Sequence, residues 1–243
     1  MKITLVRHGE PNYAIDSLTP KGFREAELLA DRLCRMDVRD FYVSPLGRAQ
    51  DTARPTLTRL NRTAETLPWL AEFRGQFVDP CSGEMRIPWN LAPRFWTTQP
   101  QFYDPQHWRD HPLFQNGTVG EIFDETAEGM DALLARYGCV RDGGLYRCEH
   151  NTDDRIVLFC HFAVSMAILA HMLNLSPVAL WHGVSLQPTS LTTLITEERR
   201  PGEVFFRMME MGDTSHLYAG GEPVSHQGLY RERFEQPGDT PSK

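Results

Sequence analysis

Two rhythms alternate along the chain: short apolar runs, and longer segments whose apolar residues recur three or four positions apart. The first run, ITLV at residues 3–6, predicts a buried strand that ends at Arg7. LTPKGFREAELLADRLCRM, residues 18–36, then predicts a helix with Thr19 as N-cap and Pro20 at the first helical position. DFYV, residues 40–43, predicts a second strand. Ser44 and Pro45 are expected to start a helix over LGRAQDTARPTLTRLN, which Pro55 should shorten or kink. A short apolar segment, ETLPWLAEF, follows at residues 65–73.

Residues 74–120 have a different character, dense in proline, tryptophan and amides: IPWNLAPRFWTTQPQFYDPQHWRDHPLF. The aromatics argue against disorder and the prolines against long regular elements, so the stretch reads as an ordered, lid-like insertion. Trp89, Phe95, Trp96, Tyr103 and Trp108 are expected to form its own small core rather than an apolar substrate wall. Beyond it, helical periodicity returns in GEIFDETAEGMDALLARYG. GGLYRCE and DDRIVLFCHF predict two strands joined by the polar turn HNTDD. AVSMAILAHMLNL predicts a helix, and TSLTTLITEE and EVFFRMMEMGD two closing strands. With no internal repeat and no interdomain linker, residues 1–236 are expected to form one domain, and residues 237–243 a flexible tail.

Strands alternating with helices predict an α/β fold, a three-layer α/β/α sandwich with a mostly parallel central sheet. Ligands of such sheets gather beyond the carboxyl ends of the strands. Arg7, His8 and His161 each follow an apolar run, so all three are expected at that edge.

Composition narrows the partners. A hydrophobic share of 41% is enough for a buried core, and a net charge of −7 leaves no broad basic surface for nucleic acid or anionic membrane. No apolar stretch approaches the ~20 residues needed to span a bilayer, so a cytoplasmic location is expected. Five cysteines with no C-x-x-C spacing predict free thiols rather than a disulfide framework or zinc site. His107 and His111, in HWRDH, lack the glutamate of a zinc protease motif and read as ordinary histidines; no metal site is expected.

The charged residues suggest one chemistry. A neutral imidazole at His8 is a suitable nucleophile toward phosphorus, and Arg7 beside it offers a planar donor fork for phosphate oxygens. Gly9 is expected to let the backbone approach a ligand closely. Arg48 lies one turn into a helix whose N-terminus favours anions. Cys160 adjoins His161, but neighbouring strand residues face opposite ways and form no catalytic pair.

LVRHGE, LTPKGFREAELLADRL, VSPLGRAQDTA, LAEF and IVLFCHF resemble, in order, the landmarks of the histidine phosphatase superfamily, the phosphoglycerate mutase-like RHG-motif family. The resemblance covers roughly residues 1–73 and resumes over about 155–195. It implies that His8 is phosphorylated during turnover, that Arg7, Arg48 and His161 bind the phosphoryl group, and that Glu72 is the general acid. Glu84 and Asp79 are rival acids. It also implies no metal or other cofactor, and a small phosphorylated metabolite as substrate.

The chain departs from the family pattern at Pro11 and Phe162, and near Ala14, where an asparagine is expected; Asn12 is the candidate replacement for phosphate binding. A phosphomonoester hydrolase is the leading expectation. A cofactor-dependent mutase and a non-catalytic phosphate-binding regulatory module are the alternatives. The oligomeric state is not legible.

Overall fold

The computed structural model describes residues 1–229, so the expected end of the domain at residue 236 and the tail at 237–243 lie outside the described residues. Eight strands form the main sheet: β1 (Lys2–Arg7), β2 (Asp40–Val43), β3 (Glu65–Thr66), β4 (Cys139–Asp142), β5 (Leu145–Cys148), β6 (Arg155–Cys160), β7 (Leu191–Arg200) and β8 (Glu203–Asp213). The main helices are α1 (Pro20–Leu33), α2 (Gly47–Leu60), α3 (Val119–Ala135), α4 (Phe162–Leu173) and α5 (Pro177–Gly183).

The strand order is β3-β2-β6-β1-β7-β8-β5-β4. Neighbours from β3 to β1 run parallel, and those from β1 to β4 run antiparallel. The α/β layering is as expected, and the parallel half of a mixed sheet is the half that carries the candidate chemistry. β1 and β6 are apolar on both faces and buried along nearly their whole lengths, which suits adjacent parallel strands covered by helices. Their register aligns Arg7 with Cys160, and the His8 N–H donates to the Cys160 carbonyl at 3.0 Å. His8 and His161 therefore leave the same sheet edge side by side.

α1 forms as its sequence predicts. The Thr19 side chain accepts from the Gly22 N–H, Pro20 opens the helix, and Gly22, Glu25, Ala26, Leu29, Ala30 and Leu33 make its buried stripe. α2 begins later than expected, at Gly47, because Ser44 accepts the Leu46 N–H within the preceding turn. Pro55 lies inside α2 without ending it, and the helix stops at left-handed Asn61.

Two sequence expectations are corrected. β5 and β6 are not a hairpin: β5 pairs with β4 and β8 at the antiparallel edge, while β6 lies between β2 and β1. The all-apolar β6 requires cover on both faces and so takes the sheet centre. The cysteines are not all free: Cys139 and Cys148 are directly cross-strand in the β4–β5 hairpin, with Cα atoms 4.2 Å apart, and form a disulfide. Cys34, Cys81 and Cys160 are free thiols.

The insertion is ordered but does not keep a core to itself. Phe102, Trp108 and Phe114 are buried and merge with the main core through Phe123 of α3 and Trp181 of α5. Of the five rings expected to form a separate core, only Trp108 is buried; Trp89 and Trp96 are partly covered, and Phe95 and Tyr103 are exposed. Leu91 N–H donates to His182 Nε2 at 3.2 Å, and Trp96 stacks on the same imidazole. His182 thus ties the insertion to α5. No helix among the described residues is long and apolar enough to cross a membrane.

Candidate active site

His8 is 2% exposed. Its Nδ1 lies 2.8 Å from the Gly9 carbonyl, which has no proton to give. Nδ1 therefore carries the hydrogen, and Nε2 is left with its lone pair. Burial first, and then the charges of Arg7 and Arg48, push the imidazole pKa well below its ordinary value. The ring is thus neutral near pH 7, as a nucleophile must be.

His161 faces it, with ring centroids 5.1 Å apart. His161 Nε2 lies 2.7 Å from Ser44 Oγ, and that oxygen already accepts the Leu46 N–H. The Ser44 hydroxyl is then best placed to donate to Nε2, which puts the ring hydrogen on Nδ1. That Nδ1 is buried and has no partner among the described residues. Burial, His8, Arg48 and Arg7 all lower the His161 pKa, so it too is neutral.

Two arginines complete the cationic wall. Arg7 is 7% exposed, its Nη1 donates to the Leu186 carbonyl, and its Nε is buried without a partner among the described residues. Arg48 Nη1 donates to Asp16 at 2.6 Å, and its Nε is likewise buried and, among the described residues, unpartnered. Unpartnered buried donors are costly, and three of them on side chains close to a neutral imidazole offer a seat for an anion with several acceptor oxygens.

Glu72 enters from the loop after β3. Its Oε1 accepts three N–H groups: Phe73 at 2.9 Å, Ala163 at 3.0 Å and Val164 at 3.2 Å. The last two belong to the first turn of α4, immediately after His161. Burial pushes the Glu72 pKa up, opposed by the Phe73 and Val164 N–H groups and by Arg7 and Arg48. With Oε1 accepting three donors, Oε2 is the oxygen left to take up a proton. Asp79, one rival acid, pairs with Arg86 at 2.8 Å, and its pKa is lowered; Glu84, the other, is exposed on the same small hairpin.

The structure therefore brings together Arg7, His8, Arg48, Glu72 and His161. It treats Gly9 and Asn12 differently. A Cβ on Gly9 would lie 2.9 Å from the Gly22 carbonyl oxygen, so this glycine clears space for α1 rather than for a ligand. Its N–H donates to Thr52 Oγ1 at 2.9 Å and is not free to bind phosphate. Asn12 sits in the loop hairpin Pro11–Asn12/Ser17–Leu18, where its Oδ1 accepts the Ala14 N–H at 3.2 Å and closes a local turn. His107 pairs with Asp104, and His111 packs on Phe95 and Phe102. Among the described residues no group of three or more His, Cys, Asp and Glu side chains is placed to hold a metal ion.

Sequence reading took Ser44 only as a helix start, and it missed Thr52 and Asp16. Thr52 lies in the VSPLGRAQDTA segment as a polar residue with no evident capping role, the one signal available. Asp16 gave none, because its partners lie 31 and 32 positions away.

A family model for the histidine phosphatase superfamily (branch 1) matches residues 3–207. Among individual proteins, the chain is 38% identical over 77 residues to the 2,3-bisphosphoglycerate-dependent phosphoglycerate mutase of Thermoplasma acidophilum, which is 27% of this chain and 38% of that protein. It is 34% identical over 110 residues to an uncharacterized Mycobacterium tuberculosis protein, Rv0525, covering 39% of this chain and 54% of that one. The matches thus span about half, or less, of these relatives' own lengths.

Among solved structures, a mutant phosphoserine phosphatase of Entamoeba histolytica in complex with phosphoserine superposes with a TM-score of 0.58 at 21% identity, covering 89% of this chain and 98% of that one. A mycobacterial glucosyl-3-phosphoglycerate phosphatase gives 0.58 at 18% identity, with 87% and 98% covered. The alpha-ribazole phosphatase of Shigella flexneri gives 0.57 at 19% identity, with 88% and 97% covered. At these identities the likeness is one of fold.

Proposed function

We propose that this chain, which belongs to the histidine phosphatase superfamily, hydrolyses phosphate monoesters of small metabolites through a phosphohistidine at His8. The reading rests on one feature above all: His8 has its hydrogen committed to the Gly9 carbonyl and its Nε2 lone pair free, among buried donors that lack partners.

In the first step the phosphoryl group sits against Arg7 Nε, Arg48 Nε and His161 Nδ1. His8 Nε2 bonds to phosphorus while the bond from phosphorus to the leaving oxygen breaks. The proton on Glu72 Oε2 passes to that oxygen, so a neutral alcohol departs. In the second step water attacks phosphorus, returns a proton to Glu72 and displaces His8 Nε2, releasing inorganic phosphate. The arginines stabilise charge on the equatorial oxygens in both steps.

A second reading, a bisphosphoglycerate-dependent mutase, draws on the segment of 38% identity with such an enzyme. It requires phospho-His8 to be shielded from water until the product is rephosphorylated.

Release of phosphate from p-nitrophenyl phosphate, without added metal, tests the hydrolase. The wild-type chain is expected to turn over and His8→Ala to lose at least about a thousandfold in rate. No wild-type turnover, or an unaffected His8→Ala, rejects the reading. Isomerisation that depends on bisphosphoglycerate would favour the mutase, and phosphate binding without chemistry a regulatory module. The pH profile carries a further expectation. His8 is held neutral by a lowered pKa, so activity persists on the acid side of 6.5. Glu72 holds its proton above its usual value of 4.5, so activity falls as rising pH removes it. Glu72→Gln should abolish that basic limb.

A further inference from the structure

We propose that Asp16 is a positioning residue for Arg48, and so a determinant of phosphate affinity; this rests on the phosphate-binding role assigned to Arg48 above. Asp16 lies at the tip of the hairpin that follows the RHG segment, with a backbone φ of 46°. A left-handed conformation is uncommon outside glycine but is tolerated by aspartate. Its two carboxylate oxygens do different work. Oδ2 accepts the Gly47 N–H at 2.7 Å, and Oδ1 accepts Arg48 Nη1 at 2.6 Å.

The first bond supplies what α2 lacks. Leu46 at its N-cap offers no side-chain acceptor, so the loop aspartate caps the first free N–H and complements the helix dipole. Gly47 is what permits this approach, because a Cβ there would lie 2.2 Å from the Asp16 carbonyl oxygen.

The second bond orients the guanidinium. Nη1 is committed to Asp16, and the Tyr13 ring lies 5.5 Å from Arg48 Cζ across one face of the plane. The Arg48 side chain is 11% exposed, and its buried Nε has no partner. The turn from Tyr13 to Asp16 thus fixes the plane and one edge of the guanidinium and leaves the other edge for a phosphate oxygen. Without the carboxylate, a flexible arginine must be ordered at the moment of binding, at the expense of affinity.

Titration calorimetry of the full chain with inorganic phosphate, at a temperature where circular dichroism shows every variant folded, tests this without requiring turnover. Asp16→Ala should weaken phosphate binding about tenfold. Asp16→Asn, which keeps one acceptor, should lose less. In an Arg48→Ala background, Asp16→Ala should add no further loss, because its effect passes through the arginine. Affinity within twofold of wild type for Asp16→Ala, or an equal loss in the Arg48→Ala background, overturns the proposal alone. A purely structural cap would lower the thermal midpoint and leave phosphate affinity in the folded protein unchanged, which also overturns it. A wild-type chain that binds no phosphate rejects the phosphohistidine reading and this one together.

Discussion

At the N-terminal ends of the parallel strands Arg39 and Arg136 have acidic partners, whereas at their C-terminal ends several buried polar atoms have no partner among the described residues. Arg39 pairs with Asp154 at 2.5 Å, Arg136 holds Glu65 through two bonds of 2.7 and 2.9 Å, and Tyr137 donates to Asp40 at 2.6 Å. These residues line two open clefts of about 380 and 320 Å³. At the opposite edge, Arg7 Nε, Arg48 Nε and His161 Nδ1 are buried without partners among the described residues. The arginines Arg39 and Arg136 in the open clefts are paired, and the edge that holds the candidate chemistry keeps buried unpaired atoms. The open clefts lie at one end of the sheet, and the unsatisfied polar atoms at the end that holds the candidate chemistry.

Three substitutions probe this contrast. The largest effect is expected at Arg7. Arg7→Lys keeps the charge but loses the fork that serves both the Leu186 carbonyl and the site, and should reduce kcat/KM by about a hundredfold or more. Steady-state kinetics on an aryl phosphate decides it, and a loss below tenfold would mean that Arg7 matters as a point charge only.

The next effect is on stability. Glu25 is fully buried, its Oε2 accepts the Glu10 N–H at 2.8 Å, and burial raises its pKa to about 7. A carboxyl whose folded pKa exceeds its unfolded value near 4.5 gives stability that is complete below the unfolded value. That stability is lost as pH rises toward 7, by at most about 3 kcal/mol. Urea unfolding at pH 5 and pH 8 should show this decline in the wild type and a flatter profile in Glu25→Gln. Parallel profiles for the two proteins would assign the buried carboxyl no titration in this range.

The smallest effect is expected at the satisfied end. Arg136→Ala breaks an exposed pair and should change stability by no more than about 1 kcal/mol, with kcat/KM within twofold of wild type. A large loss of activity there would abolish the contrast between the two ends.

The candidate site was legible where chemistry coincides with a local signal. Arg7–His8 and His161 stand out because apolar runs end on them, and Arg48 and Glu72 stand out through the ordered landmarks around them. Legibility failed where a residue's role is set across the fold. Gly9 was read as facing a ligand, and it faces Gly22 of α1. Asn12 was read as phosphate-binding; its carboxamide oxygen closes its own turn, which leaves the nitrogen as its donor. The cysteines were read from spacing, yet Cys139 and Cys148 become cross-strand neighbours only once the β4–β5 hairpin has a register. The insertion's rings were read as a private core, but Trp108 is buried by Phe123 and Trp181 from outside the insertion.

By itself the sequence determined which side chains end the buried strands, because an all-apolar run can be satisfied only inside a covered sheet and must break where charge begins. The tertiary structure decided which atoms of those side chains are free. Hydrogen positions on His8 and His161, the saturated oxygen of Glu72 and the unpartnered edge of Arg48 are each fixed by partners on other elements or in the following turn. Those contacts exist only after strand order and register bring distant segments within hydrogen-bond range.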